Sequence, residues 1–194
     1  MRLSILPLVV LALGASLTSC GEGGSSSSAA PVVPISPGPV TRVDPCRVVT
    51  AAEASSLTGA SFGPGKKSTA HGGRRCVYGA NSLLVFTVEV SRAPGAADAQ
   101  AFFAQNEARA RSALTQQVPA HLLASLHVSD VPGVGDRAAI GTYSAHVGGE
   151  AIGIRAIYVL DRTTFLTFSD LNLSGAAPTD EAMEAQARTS LGRL

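Results

Sequence analysis

The segment between residues 21 and 39 restricts folding more than any other feature of the sequence, because glycine, serine, alanine and proline dominate it. Such a segment buries too little apolar surface to offset the entropy that a chain loses on folding. Its Gly/Ser part predicts a flexible coil, and its proline-rich part predicts a stiffer, extended spacer. We therefore expect a disordered tether over residues 20–40 and one folded domain over residues 41–194, which is long enough for a hydrophobic core.

Residues 1–19 have the layout of an export signal. Arg2 supplies a positive charge, and the apolar run over residues 3–13 is far shorter than the roughly 20 residues that cross a bilayer as a helix. Leu17-Thr18-Ser19-Cys20 then matches the bacterial lipobox, in which the cysteine thiol accepts the lipid. We expect cleavage before Cys20, a lipid anchor on Cys20 and an extracytoplasmic position at the cell membrane. An ordinary signal peptide and a retained membrane anchor are the less favoured alternatives.

The cysteine count supports the same interpretation. The chain has three cysteines, and lipidation of Cys20 leaves an even pair, Cys46 and Cys76. Export places that pair in an oxidising compartment, so we expect a disulfide that closes a loop of about 31 residues and contributes about 3–4 kcal/mol. A metal site built from Cys46, His71 and Cys76 is the alternative, and it lacks the paired ligand spacing of such sites.

The hydrophobic pattern over residues 41–194 predicts an α+β fold, in which an antiparallel β-sheet of about five strands is covered by three helices. Capping signals at Thr50 and Thr179 mark the starts of two of the helices. The expected helices cover residues 50–59, 96–115 and 179–194, and the expected strands cover residues 76–78, 83–92, 137–146, 151–161 and 163–171. Residues 61–73 are expected to form a loop, and residues 119–126 fit either a short helix or a strand.

The expected loop carries the one concentration of charge in the sequence that suggests a ligand. Its cationic or titratable side chains are Lys66, Lys67, His71, Arg74 and Arg75, followed at once by Cys76. Such a group attracts anions, for example phospholipid headgroups or a phosphorylated glycan. A solvated loop without a ligand is the alternative.

No motif in the sequence predicts catalysis or a cofactor. Gly59-Ala60-Ser61-Phe62-Gly63 matches G-x-S-x-G, but it follows an expected helix, whereas a nucleophile elbow follows a strand. The four histidines lack metal-ligand spacing, and Phe102 and Phe103 are expected to be core residues rather than the lining of a lipid cavity. We expect no catalytic residue, no metal and no cofactor. Removing Arg2 with the signal leaves 14 basic and 14 acidic residues, so a nucleic-acid partner is not expected.

Several short motifs resemble a group of actinobacterial cell-envelope lipoproteins, common in mycobacteria, that carry an uncharacterised extracytoplasmic domain. The motifs are Asp44-Pro45-Cys46, Ala52-Glu53-Ala54, Cys76-Val77-Tyr78 and Val131-Pro132-Gly133-Val134-Gly135-Asp136. Tyr78 stands where tryptophan is frequent in such proteins. The resemblance implies an envelope location and a small α+β fold, and it implies no established activity.

Taken together, these patterns predict a membrane-anchored, non-enzymatic binding module. Its expected partners are the membrane, reached through the N-terminal lipid, and an envelope protein, glycan or lipid. A carrier that holds a lipid-like molecule in an apolar cavity is the main alternative. An envelope hydrolase that uses Ser61 is the less favoured one.

Overall fold

The computed structural model describes residues 43–70, 73–79, 84–117, 123–147, 150–172 and 177–194. The expected signal, Cys20 and the expected tether lie outside these ranges, as does His71. All of the described residues belong to the domain expected over residues 41–194.

The described residues form four helices and seven strands, arranged as an α+β domain with a single antiparallel sheet. The elements are α1 (Pro45–Val48), α2 (Ala51–Thr58), β1 (Lys66–Ala70), β2 (Gly73–Tyr78), β3 (Leu84–Arg92), α3 (Ala96–Gln117), β4 (Leu123–Asp130), β5 (Arg137–Val147), β6 (Glu150–Asp161), β7 (Thr164–Asn172) and α4 (Asp180–Leu191). The strand order is β1-β2-β3-β7-β6-β5-β4, so β1 and β4 form the two edges. The predicted α+β class and antiparallel sheet are confirmed.

The structure adds two strands and one short helix to the elements expected from the sequence. β1 lies inside the segment expected to be a loop. Its described side chains are exposed at the sheet edge, so its Lys-Lys-Ser-Thr sequence has none of the apolar alternation that marks a half-buried strand. The segment over residues 119–126 fitted either a helix or a strand, and its second half is a strand, because β4 begins at Leu123. α1 has only four residues, with Asp44 as its N-cap and proline at its first position.

Each face of the sheet buries its own hydrophobic cluster. On one face α1, α2 and α4 cover the larger core, which includes Phe86, Val88, Ile157, Phe168 and Met183. On the other face α3 packs through Ala99 and Phe103 against Leu160 and Phe165. Phe102 meets Phe165 edge to face, with ring centroids 4.6 Å apart.

The ends of the domain are joined by a charged contact between α2 and the C-terminus. The predicted capping box is present, since Thr50 accepts from the Glu53 backbone N–H and the Glu53 carboxylate accepts from the Thr50 backbone N–H. The same carboxylate accepts from both terminal nitrogens of Arg193, at 2.8 and 2.5 Å. The Arg193 guanidinium lowers the pKa of Glu53 to about 2. This pair fixes α2 against the chain end that follows α4.

The Val-Pro-Gly-Val-Gly-Asp motif forms the turn between β4 and β5. Val131 and Val134 are buried in the larger core, while Gly133 and Gly135 adopt left-handed φ angles of 72° and 59°. Asp136 accepts a hydrogen bond from the Arg162 backbone N–H at 2.6 Å, which ties this turn to the β6–β7 turn. The motif therefore has a structural explanation in this domain.

The two glycines of this turn should respond differently to alanine. A Cβ at Gly135 would lie 2.5 Å from the Leu160 carbonyl oxygen, whereas a Cβ at Gly133 would meet nothing within 4 Å. We expect Gly135→Ala to lower the free energy of unfolding by about 2 kcal/mol, from backbone strain plus the clash. Gly133→Ala should cost about 1 kcal/mol, from the left-handed conformation alone. Urea denaturation of both variants measures the difference, and equal losses would contradict it.

Candidate functional site

The predicted disulfide is confirmed. Cys46 and Cys76 are bonded, with an S–S distance of 2.06 Å and a Cα–Cα distance of 5.2 Å. The bond attaches α1 to β2, and next to it the Tyr78 hydroxyl donates to the Val49 carbonyl at 2.5 Å. Since both sulfur atoms are in the bond, neither is a metal ligand, and the alternative metal site is excluded.

Four of the five residues that the sequence grouped lie on the β1–β2 hairpin, and we call them the basic edge ribbon (Lys66, Lys67, Arg74 and Arg75). Contrary to the expected loop, they belong to two paired strands, with Lys66 opposite Val77 and Lys67 opposite Cys76. The disulfide therefore lies directly beneath the ribbon. Lys66 and Lys67 are also the only lysines in the chain.

Two carboxylates that the sequence did not reveal pair with cations of the ribbon, one on each face of the sheet. Lys67 Nζ contacts Asp44 Oδ2 at 2.6 Å, and this hydrogen bond lowers the pKa of Asp44. On the other face of the sheet Arg75 contacts Glu89 Oε2 at 2.9 Å, because β2 and β3 place these two residues opposite each other. The pairs join residues 23 and 14 positions apart. Only the fold brings them together.

The outermost charges of this edge are cationic. The side chain of Lys67 is 63% exposed, while the side chains of Asp44 and Glu89 are 27% and 21% exposed. Arg47 of α1 adds a fifth cation, 89% exposed and 4.0 Å from Asp44, which the sequence did not single out. Asp44 and Glu89 lie on opposite faces of the sheet and are less exposed than Lys67 and Arg47, so each reduces the positive charge on its own face without cancelling it.

The ribbon also contains a concavity with the chemistry of an anion site. Its volume is about 370 Å³, and its lining residues are Asp44, Pro45, Lys67, Ser68, Thr69, Arg74 and Arg75. Ammonium, guanidinium and hydroxyl groups are the donors that proteins present to phosphate and carboxylate oxygens. The geometry therefore suits an anion at the surface rather than a buried molecule.

A second charged group lies on the face of the sheet that α1, α2 and α4 cover. Asp170 of β7 is completely buried, opposite Arg155 of β6, and neither of its carboxylate oxygens has a hydrogen-bond partner among the described residues. Arg155 Nε lies 3.2 Å from Asp180 Oδ1 at the start of α4. Burial raises the pKa of Asp170 to about 6, and the charge of Arg155 partly opposes that rise. The sequence did not suggest this group.

The cleft between α3 and the sheet bears on the carrier alternative. Its volume is about 260 Å³, and its aromatic lining comes from Phe102, Phe103, Tyr158 and Phe165. Sites for drug-sized ligands span roughly 300–1,000 Å³, so the part of this cleft that the described residues line is at the small end for a lipid-like ligand.

Ser61 does not occupy a nucleophile elbow. It lies exposed in a coil after α2, behind Gly59 in a left-handed conformation, and no strand leads into it. Within the described part of the chain, no three histidine, cysteine or acidic residues gather as metal ligands. Among the described helices, none combines the length and the apolar character required to cross a membrane.

Of these arrangements, the basic edge ribbon combines exposure, charge and a concavity, and it contains four of the five residues that the sequence grouped as an anion site, the fifth being His71 outside the described ranges. Asp170 is buried, and the α3 cleft is small. No family model, no curated protein and no solved structure matches the chain, so these residues alone point to a function.

Proposed function

We propose that this protein is a lipid-anchored lipoprotein of the cell envelope, similar to the actinobacterial group that its motifs resemble. In this proposal Cys20 carries the lipid, residues 20–40 form a tether, and the α+β domain is a non-enzymatic module that binds an anionic component at the basic edge ribbon. The observation that carries the binding role is the cluster of exposed cations on and beside the β1–β2 hairpin, where the half-buried counter-charges Asp44 and Glu89 lie on opposite faces of the sheet.

The disulfide supports the proposed location. Such bonds persist in oxidising, extracytoplasmic compartments and are rare in the cytosol. With Cys46 and Cys76 bonded, Cys20 is the one remaining cysteine, and it lies at the end of a lipobox-like sequence. The chain thus has a consistent use for each of its three cysteines.

Acyl labelling tests the anchor directly. In cells fed an alkyne analogue of palmitate, we expect the wild-type protein to incorporate the label and its mature form to begin at Cys20 with an added diacylglyceryl mass. Cys20→Ala should remove the label, because no other thiol is free to accept the lipid. Ser16→Ala, just outside the lipobox, should keep it. Label retained by the Cys20→Ala variant would contradict the proposal.

A further inference from the structure

We infer that the anionic partner of the basic edge ribbon is the phospholipid headgroup layer of the membrane that carries the protein, so that the domain rests on that membrane through β1 and β2. This inference depends on the proposed lipid anchor. Three independent features of the domain support it.

The first feature is the place where the chain enters the domain. The carbonyl oxygen of Val43, the first described residue, accepts a hydrogen bond from Arg74 Nη1 at 3.2 Å, and the next residue, Asp44, contacts Lys67. The expected tether therefore joins the domain at the ribbon itself. Because a tether holds the domain near its membrane at high effective concentration, even a weak contact between ribbon and headgroups would be populated.

The second feature is the uneven distribution of charge between the two sheet edges. Both lysines of the chain lie on β1, whereas the opposite edge strand, β4, contains no lysine or arginine and ends in Asp130. Lysines on an edge strand can simply prevent edge-to-edge aggregation. On β4 that protection takes another form, a bulge between Leu123 and Ser125, so positive charge is concentrated at the β1 edge alone among the two described edges.

The third feature is the form of the ribbon. The side chains of Lys66, Lys67, Ser68, Thr69 and Arg74 are all exposed along one hairpin. The concavity on this hairpin is open to solvent, and Ser68 and Thr69 present hydroxyl donors there beside Lys67 and Arg74. An extended, shallow row of donors suits a layer of lipid phosphates better than one enclosed ligand.

Vesicle binding by the unlipidated chain tests the ribbon separately from the anchor. Mature protein with Cys20→Ser should co-sediment with phosphatidylcholine vesicles containing about 30% phosphatidylglycerol, and not with pure phosphatidylcholine vesicles. Salt at about 0.5 M should abolish the binding, because it screens exposed charges. Absence of binding to the anionic vesicles would overturn the inference, while the acyl-labelling result would stand unaffected.

A matched pair of double variants assigns the binding to the ribbon. Each lysine near an anionic surface is worth about a fivefold change in partitioning, so Lys66→Gln with Lys67→Gln should weaken binding roughly 25-fold. Arg162→Gln with Arg188→Gln removes the same net charge from exposed positions elsewhere and should change binding less than about twofold. Circular dichroism and thiol alkylation establish that all variants are folded and disulfide-bonded. Equal losses in the two pairs would show general charge attraction and would overturn the inference.

The two lysines also allow a test on the lipidated protein. In the mature chain with an acylated N-terminal amine, Lys66 and Lys67 are the only primary amines, so an amine-reactive reagent modifies the ribbon alone. Modification should be at least about fivefold slower in phosphatidylglycerol-containing vesicles than in phosphatidylcholine vesicles. Equal rates would contradict membrane docking. Stronger protection by a soluble poly(glycerol phosphate) than by the vesicles would replace the lipid partner with a phosphorylated polymer.

Discussion

Breaking the Cys46–Cys76 bond is expected to lower the free energy of unfolding by about 3–4 kcal/mol. The two cysteines are separated by 30 positions, and the bond limits the freedom of that long loop in the unfolded chain. In the folded domain it attaches a four-residue helix that is too short to be stable by itself. The loss should therefore be large and should begin at α1.

Chemical denaturation with and without a reducing agent measures this effect. Reduction should move the denaturation midpoint of the wild-type domain to that of the Cys46→Ala/Cys76→Ala double variant. The double variant should not respond to the reducing agent, and Cys20→Ser in both backgrounds removes the third thiol. An unchanged wild-type midpoint on reduction would contradict the expected contribution.

Reduction should also affect the proposed membrane contact. Lys67 lies opposite Cys76 on the paired strand, and its counter-charge Asp44 caps the helix that the disulfide holds. Reduction leaves α1, which carries Arg47 and follows Asp44, held to the domain by noncovalent contacts such as the burial of Val48 and the hydrogen bond from the Tyr78 hydroxyl. The disulfide thus links the stability of the domain to the arrangement of its charged edge.

The elements that the sequence predicted well are those in which side-chain pattern and burial agree. β3 alternates Phe86, Val88 and Val90 toward the larger core, and the structure places it within one residue of the expected strand. α2 begins where the Thr50 capping box indicated. Local signals of this kind depend only on neighbours in the chain, so they can be read without the fold.

The features that the sequence did not reveal depend on register between distant strands. The side chains of β1 that the structure describes, Lys66 to Thr69, are all exposed, so hydrophobic alternation could not identify this strand. The pairing of Arg75 with Glu89 follows from the β2–β3 register, and the proximity of Lys67 to Asp44 follows from the position of α1. The four cations could be grouped from sequence because they are close in the chain. Their counter-charges could not.

Asp170 is the clearest example of such a residue, and it leads to the second large effect. β7 is a central strand, and its pairing with β6 and β3 places Asp170 opposite Arg155 and Phe86 beneath the helices. Because a buried carboxylate is most stable when neutral, its pKa rises to about 6 from a usual value of 3.8. The protonated Asp170 therefore favours the folded state relative to the ionised form. This contribution to the free energy of unfolding is fully present below about pH 4 and is lost as the pH rises through 6.

Asp170→Asn should therefore stabilise the domain at pH 7.5 and have little effect at pH 4. A pKa rise of about two units corresponds to roughly 3 kcal/mol, and we expect a gain of about 2 kcal/mol because the amide must also be buried. The pKa values of Glu53 and Asp44 are lowered, so these two residues make the stability of both proteins depend on pH in the acid range. Their contribution is the same in the variant and the wild type and cancels in the difference between them. The expected signature of Asp170 is that difference as a function of pH.

Urea denaturation of wild type and Asp170→Asn between about pH 4 and 8 provides the measurement. Asp130→Asn, at an exposed position, is the control and should show no pH-dependent gain. Arg155→Gln removes the positive charge that opposes the effect of burial, so it should move the midpoint of the wild-type stability loss to higher pH. A constant difference between Asp170→Asn and wild type across this range would mean that the Asp170 carboxylate stays ionised in the folded domain. Its burial would then have to be compensated by a partner that the described residues do not supply.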